Sequence, residues 1–135
     1  MTIDEADFNN DVSFEEATFH SQASFKGTQL YGRANSIGDN TIFNDATFHD
    51  DVSFLHATLE YTLFEDVTFK GDAIFKEVYA DGAVLFPDVT FEATANFDEV
   101  TFTDDVTFQD SVFKQGGSFR GIEFQGGAAI LEDDV

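Results

Sequence analysis

Ala46-Thr47-Phe48-His49-Asp50-Asp51-Val52-Ser53-Phe54-Leu55-His56-Ala57-Thr58-Leu59 holds one short phrase three times. Each copy runs small apolar residue, Ser or Thr, large apolar centre, and then one to three turn-forming or charged residues. The centres Phe48, Phe54 and Leu59 lie six and then five residues apart. A helix repeats its faces every 3.6 residues and a simple strand every 2, so neither explains this rhythm. Within a phrase, residues two apart share a face of an extended segment. The small residue and the centre therefore point one way, and the Ser or Thr between them points the other. The Asn, Asp and Gly residues that follow suit a change of direction.

The rhythm extends over almost the whole chain. All 18 phenylalanines fall on it: Phe8, Phe14, Phe19, Phe25, Phe43, Phe48, Phe54, Phe64, Phe69, Phe75, Phe86, Phe91, Phe97, Phe102, Phe108, Phe113, Phe119 and Phe124. Leu30, Leu59, Ala80 and Ile130 fill further slots on the same grid. Sustained self-similarity at a fixed period is the signature of a repeat architecture. Four phrases close a square coil of about 22 residues, and coils stack at strand spacing, about 4.8 Å. The Phe rings then pile into a spine along the axis, where offset aromatic pairs add about 0.5–1.5 kcal/mol beyond burial.

The pattern resembles the pentapeptide-repeat family, whose motif is A(D/N)LXX with Leu or Phe at the centre. Ala6-Asp7-Phe8-Asn9-Asn10 matches it, as do Ala17-Thr18-Phe19-His20-Ser21 and Ala46-Thr47-Phe48-His49-Asp50. The resemblance implies an all-β fold, a right-handed quadrilateral β-helix. The repeat region covers about residues 6–130 of a single domain spanning 1–135, in just under six coils. The departure from the motif is an extra residue in every second phrase, as at Asp11 before Val12-Ser13-Phe14, which predicts slightly bulged corners.

Two irregularities stand out. Leu30 to Phe43 spans 13 residues where two steps would take 11. Segment 31–42 is either a distorted coil side centred near Ile37 or one long loop replacing a corner. The loop reading keeps the later phase and stacks His20 over His49. Loops on rigid scaffolds often carry function, which makes Tyr31, Arg33, Asn35 and Asp39 candidate interaction residues. The second irregularity is Val78-Tyr79-Ala80, where Ala takes a core slot. A cavity is expected there unless Tyr79 or a neighbouring Phe fills it. Pro87, directly after Phe86, suits the first position of a turn.

Composition narrows the function. The formal net charge is −21, with 27 acidic residues against 6 basic ones. That argues against direct binding of nucleic acid or an anionic membrane and toward a basic protein partner. The sequence contains no Cys, so a thiolate metal site and a Cys nucleophile are excluded; the lack fits a reducing, cytoplasmic setting. Met1-Thr-Ile-Asp-Glu-Ala-Asp7 carries no pattern of a secretory leader. No nucleophile elbow, phosphate loop or metalloprotease spacing occurs, so no enzyme, cofactor or metal site is expected. Carboxylate pairs such as Asp50-Asp51 and Asp104-Asp105 read as corner decorations.

Two readings of the acidity remain open. A charged rod of near-duplex width can act as a DNA mimic, and some pentapeptide-repeat proteins bind DNA gyrase in place of DNA. The resemblance thus implies a partner with a basic DNA-binding groove. Alternatively the carboxylates serve solvation in a halophilic cytoplasm, and the solenoid is a non-catalytic interaction or structural module. The charge is expected to be spread over many corners without a single stripe. An open coil end also permits end-to-end homo-association.

Overall fold

The computed structural model describes residues 1–31 and 41–130. Among these there is no helix; short parallel strands stack on their counterparts one turn away. Register runs Ala73 beside Ala95, Thr68 beside Thr90 and Thr101 beside Glu123, which sets a 22-residue turn. Two faces are five-stranded sheets with one strand per turn. The other two are joined where Thr58–Leu63 and Tyr79–Leu85 run through a corner as single strands.

Four faces follow from the stacking, numbered here in chain order. Face 1 stacks Phe25, Phe54, Phe75, Phe97 and Phe119, with Ile3 before them. Face 2 holds Phe8, Leu30, Leu59, Ala80, Phe102 and Phe124. Face 3 stacks Phe14, Phe43, Phe64, Phe86 and Phe108. Face 4 stacks Phe19, Phe48, Phe69, Phe91 and Phe113. Stacked neighbours on face 3 lie 4.8–4.9 Å apart and within 13° of parallel. Rings of faces 1 and 3 meet edge to face across the axis, as Phe86 and Phe97 do at 5.4 Å and 90°. Each ring of faces 1 and 3 thus gains a stacked and an edge contact, geometries that the aromatic quadrupole favours when the stack is offset.

The alternating spacing has a simple cause. Corners after faces 1 and 3 are tight turns; after Phe14, Phe25, Phe43, Phe54, Phe75 and Phe108 the residue three past the centre donates its N–H back to the centre's carbonyl. Ala57 to Phe54 at 2.9 Å and Ala46 to Phe43 at 3.1 Å are examples. The residue two past the centre has positive φ, between 55° and 59° at Glu16, Asp45, His56, Asp66, Glu77, Asp88, Glu99 and Asp110. An i-to-i+3 bond with positive φ at i+2 is the mark of a type II turn. Pro87 occupies i+1 of the turn after Phe86, as its fixed φ suits; there Asp88 has the positive φ and the Ser111 hydroxyl bridges Phe86 O and Val89 N. Corners after faces 2 and 4 are wider by one residue. The exception is Leu59 to Phe64, where Tyr61 takes φ 45° and the corner shortens.

The Asp pairs are corner parts, which corrects their reading as decoration. Asp50 Oδ1 accepts from Asp51 N at 2.8 Å, and Asp51 Oδ1 accepts from Asp72 N of the next turn at 2.8 Å. Asp104, Asp105 and Ala128 N repeat this at 2.8 and 2.7 Å. The turn above must lie close, so glycine stands there. A Cβ on Gly71 would come within 2.4 Å of the Asp50 carbonyl carbon, and one on Gly127 within 2.3 Å of Asp104's.

Residues 32–40, most of the irregular segment, lie outside the described residues, and the columns on either side of them hold. Thr18 pairs with Thr47 and Gln29 with Thr58, 29 residues on, while Leu30 and Leu59 stay in one column. His20 stacks on His49 at 5.2 Å, as the loop reading expects. The solenoid has about five turns, fewer than the just under six coils expected from the sequence. Ile37 itself lies outside the described residues. At the far end, Ile130 pairs with Thr107 instead of Phe108, because this turn is one residue longer. Phe124 stacks on Phe102 at 5.6 Å yet is 54% exposed, unlike the inner spine.

Ala80 leaves an apolar cavity of about 10 Å³ between Leu59 and Phe102. Tyr79 points outward, 42% exposed, and does not fill it. Elsewhere small polar residues take the inner small-residue slot; the Thr41 hydroxyl is buried there without a hydrogen-bond partner, whereas that of Ser111 is satisfied. Buried Ser111 donates to Phe86 O at 2.5 Å and accepts from Val89 N at 2.9 Å.

Two substitutions test this packing by thermal unfolding. Gly71→Ala forces a Cβ into backbone and is expected to destabilise by about 1–3 kcal/mol, without any change of φ class. Ala80→Val fills part of the gap in a strand and is expected to stabilise by about 1 kcal/mol.

Candidate interaction surface

Outward positions, one before each centre, are the raw material of any surface site. On face 4 they read Thr18, Thr47, Thr68, Thr90 and Val112. On face 1 they include Ser24, Ser53, Ile74, Asn96 and Ser118. Face 3 differs: Ile42, Leu63 and Leu85 follow one another in successive turns, flanked by Ser13 and Thr107. All three are half-buried, and they form the only run of three aliphatic outward residues among the described residues.

The corners on either side of that ridge carry no Lys or Arg among the described residues. The corner between faces 3 and 4 holds Glu15, Glu16, Asp45, Glu65, Asp66, Asp88 and Asp110. The corner between faces 2 and 3 holds Asp11, Glu60, Asp81, Asp104 and Asp105. Burial first, and the stacked charge of Asp81 second, push the Glu60 carboxyl up. Tyr61 lies across this corner against Gly82, where a Cβ would meet its ring at 2.9 Å.

All the described basic residues, Lys26, Lys70, Lys76, Lys114 and Arg120, stand at the two corners that border face 1. The ion pairs gather there too: Lys76 with Glu77 and Glu99 at 3.6 and 3.8 Å, Lys114 with Glu92 at 3.9 Å, Arg120 with Asp98 at 2.9 Å. His56 Nδ1 lies 3.0 Å from Glu77. The expectation of charge without a stripe is therefore corrected. Folding sorts it into a mixed side around face 1 and an acidic side around face 3.

Asp98 is the most embedded of these carboxylates, its side chain 7% exposed. It accepts from Ser118 Oγ, from Arg120 N at 2.9 Å and from the Arg120 guanidinium. The Ser118 hydroxyl first, then the Arg120 amide and guanidinium, hold its carboxyl down at about 2. Asp4 has the same arrangement with Ser24 and Lys26 N. These acids join turns.

Of the residues expected at the irregular segment, Tyr31 is placed, with its hydroxyl donating to Gln29 Oε1 at 2.6 Å. Arg33, Asn35 and Asp39 lie outside the described residues. Ile42, Leu63 and Leu85 were missed as surface candidates. Their signal was the absence of Ser or Thr before a centre, at residues far apart in the chain. No group of three or more His, Asp or Glu suited to a metal ion occurs among the described residues. No described helix is long and apolar enough to cross a membrane.

A family model described as pentapeptide repeats, nine copies, matches residues 36–78 and 81–130. The chain belongs to the pentapeptide-repeat family. This pentapeptide-repeat protein is also similar to a solved structure of trypsin-treated QnrB1, described as a plasmid-mediated fluoroquinolone resistance protein. That likeness has 13% identity and a TM-score of 0.36, covering 92% of this chain and 84% of that one. No curated protein sequence matches it.

Asp98 gives a pH test. Its folded value lies below the ordinary carboxylate range, so its stabilisation is present above about pH 4 and lost as pH falls toward about 2. Asp98→Asn is expected to lower Tm at neutral pH, with the gap to wild type closing across that window. A gap that stays constant down to the lower limit would contradict the assignment.

Proposed function

We propose that this pentapeptide-repeat protein is a non-catalytic protein-binding module that engages a basic partner with its face-3 side. The observation that carries this reading is the segregation of charge. Two adjacent corners line up carboxylates turn after turn, while the described Lys and Arg sit on the opposite side.

Backbone geometry supports a role for these charges. In the corner between faces 3 and 4, every positive-φ position from Glu16 to Asp110 holds Glu or Asp. Gly suits that conformation best, and the other tight corner mixes Gly27 and Gly121 with Glu5, His56, Glu77 and Glu99 at this position. Turn geometry alone does not select a column of acids, and like charges stacked a turn apart repel. Retaining them at a cost in stability is the pattern of a functional surface.

A DNA mimic that binds a topoisomerase such as DNA gyrase is the second reading, and charge density favours it. Twelve carboxylates on the two corners over five turns make roughly one per 2 Å, near the one per about 1.7 Å of duplex DNA.

Binding to a cationic polypeptide such as polylysine, followed from low to molar KCl, tests the first reading. Affinity is expected to fall steeply with salt and to drop when Asp45, Asp66, Asp88 and Asp110 are changed to Asn. Equal binding by that variant would remove the face-3 side as the site. A gyrase supercoiling assay at low salt tests the second: no effect at high micromolar protein would dispose of mimicry while leaving the first reading intact.

A further inference from the structure

The geometry points to one occupant for face 3: a cationic amphipathic α-helix lying along the solenoid axis, apolar stripe inward and Lys or Arg on both flanks. This inference rests on the protein-binding reading above and specifies its partner. Ile42, Leu63 and Leu85 supply an aliphatic ridge in the position that other faces give mainly to Ser, Thr or Asn. Pro87, half-buried beside Leu85's strand, widens it. The carboxylates border the ridge on both sides, Glu60 and Asp81 on one, Asp66 and Asp88 on the other.

Spacing selects a helix over a strand. The turns beneath the ridge are 4.8 Å apart, judged by Phe43 on Phe64 and Phe64 on Phe86. A helix parallel to the axis presents one residue per turn of about 5.4 Å, so three rungs accumulate a mismatch of only about 1.2 Å. An extended strand along the same line presents same-face residues about 6.6–6.8 Å apart and slips by about 4 Å over three rungs. Helix flanks then bring Lys or Arg over both carboxylate columns, and burial of three aliphatic side chains supplies affinity that charge alone does not.

Other occupants fit the charge less well. A second copy of this chain, at −21, brings the same carboxylates and is repelled. Nucleic acid and anionic lipid are repelled likewise. Residues 32–40 precede Ile42 closely in the sequence, and the experiment separates them from an external helix.

The probe is a labelled helical peptide with Leu along one stripe and Lys on both flanks, titrated into the full chain. A control peptide carries Gln in place of Leu. The ridge is replaced by Ile42→Thr, Leu63→Thr and Leu85→Thr together, the residue that face 4 carries at this position, with circular dichroism to verify folding. Binding of the Leu peptide is expected to weaken more than about tenfold. It should also weaken on changing Asp45, Asp66, Asp88 and Asp110 to Asn, and stay unchanged on Ile74→Thr on face 1. The Gln peptide should bind wild type and the Thr variant equally weakly.

The inference is overturned if the Thr variant keeps wild-type affinity for the Leu peptide, or if the Gln peptide binds wild type as well as the Leu peptide. In either case salt-dependent polylysine binding by wild type would leave the wider protein-binding reading standing. It is also overturned if replacing residues 32–40 by a short Gly-Asn corner abolishes binding that the Thr variant retains, because the segment is then the site. If neither peptide nor polylysine binds wild type at low salt, both readings fall.

Discussion

On three of the four faces every ring of the spine stands on the ring one turn below it. That single requirement disciplines the rest of the molecule. Ring spacing near 4.8 Å is also the spacing at which parallel backbones exchange hydrogen bonds, so burial and hydrogen bonding are satisfied by the same register. A slip of one residue would turn each centre outward and each Ser or Thr inward. The chain therefore keeps phase by altering its corners. It shortens one at Tyr61, lengthens the last described turn by one residue, and inserts a long segment after Leu30, while the faces stay in column.

The corners bear the cost of that regularity. Tight ones force a left-handed residue in turn after turn, and wide ones bring backbones so close that Gly71 and Gly127 admit no Cβ. Acidic residues meet these demands in two different ways. At Asp50-Asp51 and Asp104-Asp105 the carboxylates accept backbone amides and act as cross-braces between turns. At Glu16, Asp45, Asp66, Asp88 and Asp110 they occupy the strained position itself and face solvent. The first group belongs to the fold. The second is a surface property carried at the fold's expense, and it borders the aliphatic ridge.

The cavity at Ala80 and the polar Ser111 show how much local deviation the register tolerates. A missing ring leaves a small void because the columns on either side hold their spacing. A buried hydroxyl is accepted because it bridges the carbonyl and amide of the turn below. Neither shifts the stacking of its neighbours.

The 5/6 spacing of Phe centres by itself determined the solenoid, its 22-residue turn and the inward or outward direction of each residue, because those depend only on chain periodicity. Leu30-to-Phe43 likewise announced an interruption, and the phase after it favoured a loop over an extra side. The segregation of charge, the aliphatic ridge of Ile42, Leu63 and Leu85, and the bracing work of the Asp pairs were decided by the tertiary structure. Residues about 22 positions apart become neighbours only once the four-sided winding is closed, and corner lengths decide which of them share a face. A linear reading registers each exception singly; stacking at strand spacing makes them one surface.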